Sequence, residues 1–546
     1  MTVFFNILFF ACLLANFVIN FVHFMHMFQL NSYSAHEQLE WAKKNRSDVW
    51  RRAVWAVVFF VLSVLTVAVQ NLLLMSANSE TLIGSFYAVF ILQEIVPFVG
   101  AVLLLAGAIM SALMSRKPAK KKLVFTPRVI RMCVTMTLVY GAVCALSMIF
   151  LYYFGLNYAG ASLLPIFCVF MPCLANFINK PIEKAINNHY INDAKRIISE
   201  LPNTTVIGIT GSYGKTSTKF YLEKLLSAKY NVLMTPGSFN TTMGVVKIVR
   251  GSLNATHEIF LCEMGAKGVG EIKEICDIVH PKHSIITSIG EQHLETFGSV
   301  ENIIKTKFEI ADAVTDGTVF LNYDNEFIRN KPIDKNRVTY GINGGDWDYT
   351  ASDIAVTEKG TDFTVHHAGE EMRFHTKLLG EHNVQNILGA IAVSHELGIS
   401  LEELVYPVKR LECVPHRMEI IDKGNGVTII DDAFNSNPAG ARAALKTLSM
   451  FDALRIVATP GMIELGEREY QLNKELGEDA AACCDIAILV GERQAPPIKE
   501  GLLAKGFPEN RIIVAKDLNE AMRSAYSIQP GRKRVILLEN DLPDNF

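Results

Sequence analysis

"TVIGITGSYGKTSTKFYLEKLLSAK", residues 205–229, changes its periodicity in the middle. TVIGIT (205–210) is a β-branched run of strand type, and TSTKFYLEKLLSAK (216–229) carries apolar residues at helical spacing, so GSYGK between them is a strand-to-helix turn. In such a turn glycines let backbone N–H groups converge on phosphate oxygens, and the positive end of the following helix favours the anion. Gly211, Ser212, Gly214, Lys215, Thr216 and Ser217 are therefore the candidate phosphate ligands, with Lys215 reaching the outer phosphates and the Thr216 hydroxyl placed for Mg²⁺. The long G-x-x-x-x-G-K-[ST] pattern is broken at Ile209, which leaves the shorter G-x-x-G-K-T at Gly211, Gly214, Lys215 and Thr216. The loop alone favours nucleotide binding, against the alternative of a Gly-rich turn without a ligand.

Upstream of the loop the chain is greasy. About 20 apolar residues cross a bilayer as a helix, and five stretches approach or exceed that length, near 3–27, 53–76, 86–114, 129–154 and 157–178. The first lacks a basic leader and a small-residue cleavage site, so it reads as a retained span rather than a signal peptide. Lys43, Lys44, Arg46, Arg51 and Arg52 follow the first span, and Arg116, Lys117, Lys120, Lys121, Lys122 and Arg128 follow the third, whereas the intervening loops carry no Lys or Arg. The expectation is a transmembrane domain at 1–180, multi-pass in the inner (plasma) membrane, with the N-terminus outside and everything after the fifth span cytoplasmic. Glu94, near the start of the third span, reads as lying at the headgroups. A basic, loosely amphipathic linker at 181–202 is suited to lying along the inner surface.

A net charge of −3 over 546 residues gives no nucleic-acid footprint. The ten cysteines include no C-x-x-C pair, which excludes a zinc signature and a disulfide framework, and the soluble part reads as a protein of a reducing compartment. From residue 413 on, strand-like runs (GVTIID, RIVATPG, DIAILVG, RIIVA, RVILLEN) alternate with helical stretches, the pattern of a doubly wound sheet.

Further motifs follow the loop in order: TPGSFNTTMG (235–244), CEMGAKGVGEI (262–272), EQHLETFGSVENIIKTKFEI (291–310), LNYDNE (321–326), GEHNVQNILGA (380–390), PHRMEI (415–420), DDAFNSNP (431–438) and GMIELGERE (461–469). Together they resemble the Mur ligase family, over about residues 200–470, and within it the branch that adds D-alanyl-D-alanine to the peptidoglycan precursor. The expected chain is multi-domain: the apolar stretches give an all-α transmembrane bundle of about five helices, and the resemblance implies an α/β central ATP-binding domain of P-loop type (203–412) and a Rossmann-like α/β C-terminal domain (413–546). It implies ATP and Mg²⁺ as cofactors, and an amide bond formed through an acyl phosphate between an amino acid or dipeptide and a UDP-linked or lipid-linked cell-wall precursor. Other wall-synthesis proteins are possible partners.

By the same resemblance Glu263, at the end of the strand EIFLCEM, holds Mg²⁺ beside Thr216, while His293 and Lys307 serve a second metal ion, Lys307 as a carbamate. Lys215, Lys307, His293 and Asp432 are the catalytic candidates. Asn322 and Asp324 match adenine and ribose contacts, and His382, Asn383 and Asn386 belong to a helix start that helps hold the nucleotide. Arg417 reaches phosphate from across a domain boundary, and Asn435 and Asn437 share the loop of Asp432. Two features depart from the family: membrane helices stand where a UDP-gripping domain is expected, and the chain ends in LLENDLPDNF (537–546) instead of a Lys-Gly-Ser-Arg type motif. A polyglutamate-type synthase and a nucleotide-binding scaffold without ligase activity are the alternatives.

Overall fold

The structure is a computed structural model that describes residues 2–541, apart from 77–80, 116–120, 155–156, 238, 293, 358, 435, 464 and 530. Side chains are also not described at 2, 82, 93–94, 147–148, 150–154, 157, 159 and 295, so that of Glu94 lies outside the described residues. Two compact units divide the chain, with the change between Asn187 and Asn188.

The first unit is helical: Thr2–Leu30, Ala35–Lys44, Arg46–Ser76, Leu82–Met114, Pro127–Phe154, Asn157–Ile166 and the start of Met171–Ser199. Four of these helices are long and apolar enough to cross a membrane. The fifth expected span is broken, because Gly160–Ile166 and Cys168–Ser199 meet at 60°. Pro165 and Pro172 flank that break, and proline can neither donate a backbone N–H nor fit the preceding helical turn. Phe9, Leu13, Phe59 and Leu104 close one core, while Phe24, Phe28, Met132 and Cys168 close another. The second of these four helices starts earlier than its apolar run, at Arg46, and folds its charge inward. Arg52 is 2% exposed, pairs with Asp48 at 3.0 Å and donates to the carbonyl of Ser111.

The second unit holds two sheets. The larger contains β1 (Thr205–Thr210), β2 (Val232–Met234), β3 (Ile259–Glu263), β4 (His283–Ile286), β5 (Val319–Asn322), β6 (Arg337–Gly341), β7 (Tyr349–Thr357), β8 (Gly360–His367) and β9 (Glu370–Thr376). Their order is β2-β3-β1-β4-β5-β6-β7-β8-β9, parallel through β7 and antiparallel beyond it. Ile207 and Ile209 of β1 face a core built with Leu222, Leu225 and the helix Glu381–Glu396, whereas Val206 faces Val246, Phe260 and Ile275. Both faces are covered, as a parallel sheet requires. Each such aliphatic side chain contributes roughly 1.5–3 kcal/mol by leaving water. The end of the long helix Met171–Ser199, within the expected linker 181–202, packs Tyr190, Ile191, Ala194 and Ile198 into this second core.

The smaller sheet contains β10 (Glu419–Asp422), β11 (Val427–Asp432), β12 (Leu454–Thr459), β13 (Ile486–Val490), β14 (Ile512–Ala515) and β15 (Arg534–Glu539). Its order is β10-β11-β15-β12-β13-β14, with only β10 antiparallel to its neighbour. In the larger sheet β1 lies between β3 and β4, so strand order reverses there and a crevice opens at the C-terminal ends of the strands. The glycine-rich loop leaves β1 at that crevice.

Candidate functional site

Sequence and geometry agree at the loop. Gly214 has φ +79°, in the left-handed region, and a Cβ there would come within 2.4 Å of the Asn386 side-chain oxygen. Glycine therefore meets two demands at once, a left-handed backbone and close approach. Ser212 fastens the loop to its neighbour: its hydroxyl donates to the carbonyl of Gly290 at 3.0 Å. Lys215 opens the helix Lys215–Leu226 and folds back to donate to the carbonyls of Gly211 (2.7 Å) and Ser212 (2.9 Å). Burial lowers its ammonium to about 8, against the pull of Glu263.

One carboxylate organises the floor of the crevice. Glu263 ends β3 and is 1% exposed. The Thr216 hydroxyl and the Asn240 amide each donate to its Oε1 at 3.1 Å, and Lys219 Nζ meets its Oε2 at 2.9 Å. Lys219 is itself fully buried and also donates to the Gly237 carbonyl at 2.6 Å, so one ammonium ties helix, strand and loop together. Glu263 remains below the usual carboxylate range: burial opposes this, and Lys219 and Lys215 outweigh burial. Lys307, 3% exposed on the helix Val300–Ala313, is lowered to about 7 by burial and by Lys215.

A cavity of about 280 Å³ joins this floor to the smaller sheet. Arg417 enters it from a turn in which both neighbours, His416 (φ +60°) and Met418 (φ +50°), are left-handed. Strain of that kind persists only where surrounding contacts enforce it. The guanidinium stacks 4.3 Å from the Phe434 ring centroid, near Asp432. Asp432 ends β11 and accepts from the Met418 N–H, and burial pushes its carboxyl up to about 6 despite Arg417. Glu539, its register neighbour on β15, is fully buried and lines the same cavity. From the larger sheet's side come His382, Asn383 and Asn386. Burial lowers the His382 imidazole to about 4, so it is neutral at ordinary pH.

Most sequence candidates converge on this cavity. Ser212, Gly214, Lys215, Thr216 and Ser217 line it beside Glu263. Asn383 and Asn386 line it from the same side, and Arg417 and Asp432 close it opposite, with Asn437, which caps the helix Pro438–Ser449. Gly211, Lys307, Asn322 and Asp324 lie off the cavity wall. Asn322 spends its amide on the Thr287 carbonyl at 2.7 Å, and Asp324 accepts from the N–H groups of Ile342 and Asn343. Gln385, which does line the cavity, donates to Asp324 at 2.7 Å and so links that acid to the wall. His293 and Asn435 lie outside the described residues. Sequence reasoning missed Lys219 and Glu539. Lys219 stands one turn beyond Lys215 on the same helix, where its position alone does not show its partner, and nothing local marked Glu539.

The family model described as Mur ligase middle domain matches residues 209–394, and the one described as Mur ligase, glutamate ligase domain, matches 416–539. The UDP-N-acetylmuramoyl-tripeptide--D-alanyl-D-alanine ligase of Bacillus subtilis is 32% identical over 335 residues, covering 60% of this chain and 72% of that one. The Escherichia coli ligase of the same name is 29% identical over 332 residues, covering 58% and 73%. Among solved structures, MurF from Acinetobacter baumannii superposes with a TM-score of 0.60 at 26% identity, covering 65% of this chain and 77% of that one. MurF ligase from Thermotoga maritima in complex with ADP gives 0.59 at 26% identity, covering 66% and 81%.

Proposed function

We infer the activity from one premise: this chain belongs to the Mur ligase family. The proposal is an ATP-dependent ligase that forms an amide bond through an acyl phosphate. It adds an amino acid or a dipeptide such as D-alanyl-D-alanine to a peptidoglycan or other cell-envelope precursor, at the inner membrane face. One observation carries this reading. The phosphate loop, with Lys215, Thr216 and Glu263, faces Arg417 and Asp432 across a single cavity whose two walls come from different sheets.

The chemical obstacle is charge, because a carboxylate must approach the γ-phosphate of ATP. Phosphoryl transfer is helped mainly by positioning and by neutralising charge. Lys215 and Arg417 supply positive charge from opposite walls, and the start of the helix Lys215–Leu226 lines the cavity, where its N–H groups would meet phosphate. The Thr216 hydroxyl beside the ionised Glu263 is a pair of hard oxygen donors and fits Mg²⁺. When bound, that ion would neutralise phosphate charge. Lys307 is buried and close to half neutral near pH 7, and the neutral amine is the form that takes up CO₂ to become a carbamate. Asp432 sits where the amine must arrive if the smaller sheet's domain delivers it.

Four helices of membrane-crossing length and basic loops on one side support an anchored, cytoplasm-facing enzyme. Anchoring favours a lipid-linked acceptor, since enzyme and substrate then share one thin layer. Incubating membranes that contain the protein with ATP and radiolabelled D-alanyl-D-alanine tests both parts. Label in the lipid extract supports them; label only in soluble nucleotide overturns the lipid-linked acceptor; ATP-dependent label in neither overturns the dipeptide.

A further inference from the structure

The C-terminal ends of β11 and β15 place two carboxyl groups side by side, because Asp432 and Glu539 are register partners on adjacent parallel strands. Neighbouring strands lie about 4.8 Å apart, and partners in register point to the same face. Glu539 is fully buried. Its Oε1 accepts from the Ser436 hydroxyl at 2.5 Å, and its Oε2 is without a hydrogen-bond partner among the described residues. A buried carboxylate oxygen left unpaired is costly, so such an atom marks a place where a partner is expected.

Charge points the same way. Among the described residues on this wall of the cavity, Arg417 is set against Asp432, and its attraction is shared with Glu263. Burial and the neighbouring Asp432 together push the Glu539 carboxyl well above the ordinary range. A second positive group would allow both acids to ionise. The substrate able to bring one is the incoming amine, which arrives in water as an ammonium ion.

We propose that Glu539 and Asp432 form the seat for the ammonium group of the incoming amine, so that this wall selects a cationic amine as the second substrate. This rests on the ligase reading, which supplies the need for an amine. Ser436 holds one oxygen of Glu539 and leaves the other for the ligand. The seat adds a contact specific to positive charge, since a neutral isostere would leave Oε2 unpaired.

The test uses the purified full chain with MgATP and compares glycinamide, a small cation at neutral pH, with acetamide, its neutral counterpart. Glycinamide should raise the melting temperature of the wild type by about 3 °C or more above the effect of acetamide. The increment should vanish in Glu539→Gln. An equal increment in Glu539→Gln, or no difference between the two compounds in the wild type, overturns the seat. If Glu539→Gln does not fold, Asp432→Asn is read by the same criteria. In a separate arm, wild type with ATP and hydroxylamine is offered UDP-N-acetylmuramoyl-tripeptide or a membrane lipid extract, and hydroxamate is measured. Failure to form hydroxamate contradicts the ligase reading, whereas the seat stands or falls on the melting shift.

Discussion

Lys215 holds two carbonyls of its own loop, so nucleotide must draw the ammonium away from Gly211 and Ser212 and offer it phosphate instead. Removing a charge aimed at a transferring phosphoryl group commonly lowers turnover by about a hundredfold or more. Lys215→Ala should show a loss of that size in phosphate release, with the fold intact by circular dichroism. Gly214→Ala should act through shape, since a methyl group would press on Asn386 in a left-handed backbone. Its affinity for MgATP should fall about tenfold or more in a direct binding titration. Asp432 yields a pH dependence. Its folded carboxyl titrates at about 6, above the ordinary carboxylate value, so the fold binds its proton more tightly than the unfolded chain does. The stabilisation is complete below about pH 4 and disappears as pH rises through 6. Asp432→Asn should therefore melt above the wild type at pH 7.5, and the gap should close as the pH is lowered to 4.

At the scale of elements, the site depends on how the helix Lys215–Leu226 is pinned to β3. Lys219 and Glu263 are both buried, and removing one partner of such a pair leaves an uncompensated charge that costs about 3–5 kcal/mol. Lys219→Met should lose stability on that scale in urea unfolding, and Glu263→Gln added to it should restore part of the loss, a coupling that a double-mutant cycle measures. The strand, loop and helix were legible in the sequence because all three signals are local: a β-branched run, bracketing glycines and helical spacing. The role of Lys219 was not, because on the helix it is one more lysine and only the β1–β3 pairing brings Glu263 to it. Glu539 was hidden for the same reason, since its partner Asp432 is reached only through the β11–β15 register. The break in the fifth span has a visible cause in Pro165 and Pro172, which a count of apolar residues does not register. Asn322 and Asp324 show what a motif leaves out: it was easy to see, but not that Asn322 donates to the Thr287 carbonyl and that Asp324 accepts from Asn343 N–H and from Gln385.

The whole molecule joins a helical unit of membrane-crossing length to a ligase-family unit, and the two parts carry separable consequences. If the helices insert, the protein should stay in the membrane pellet after alkaline carbonate washing and be released only by detergent. The catalytic unit's consequence is chemical: an acyl phosphate transfers one oxygen of the acceptor carboxylate to phosphate when the amine displaces it. That transfer can be followed by offering an acceptor labelled with ¹⁸O in its terminal carboxylate, together with ATP, Mg²⁺ and D-alanyl-D-alanine, and recording the mass of the phosphate released. The account predicts one ¹⁸O atom in phosphate for each amide bond formed. Amide formation with unlabelled phosphate would contradict it.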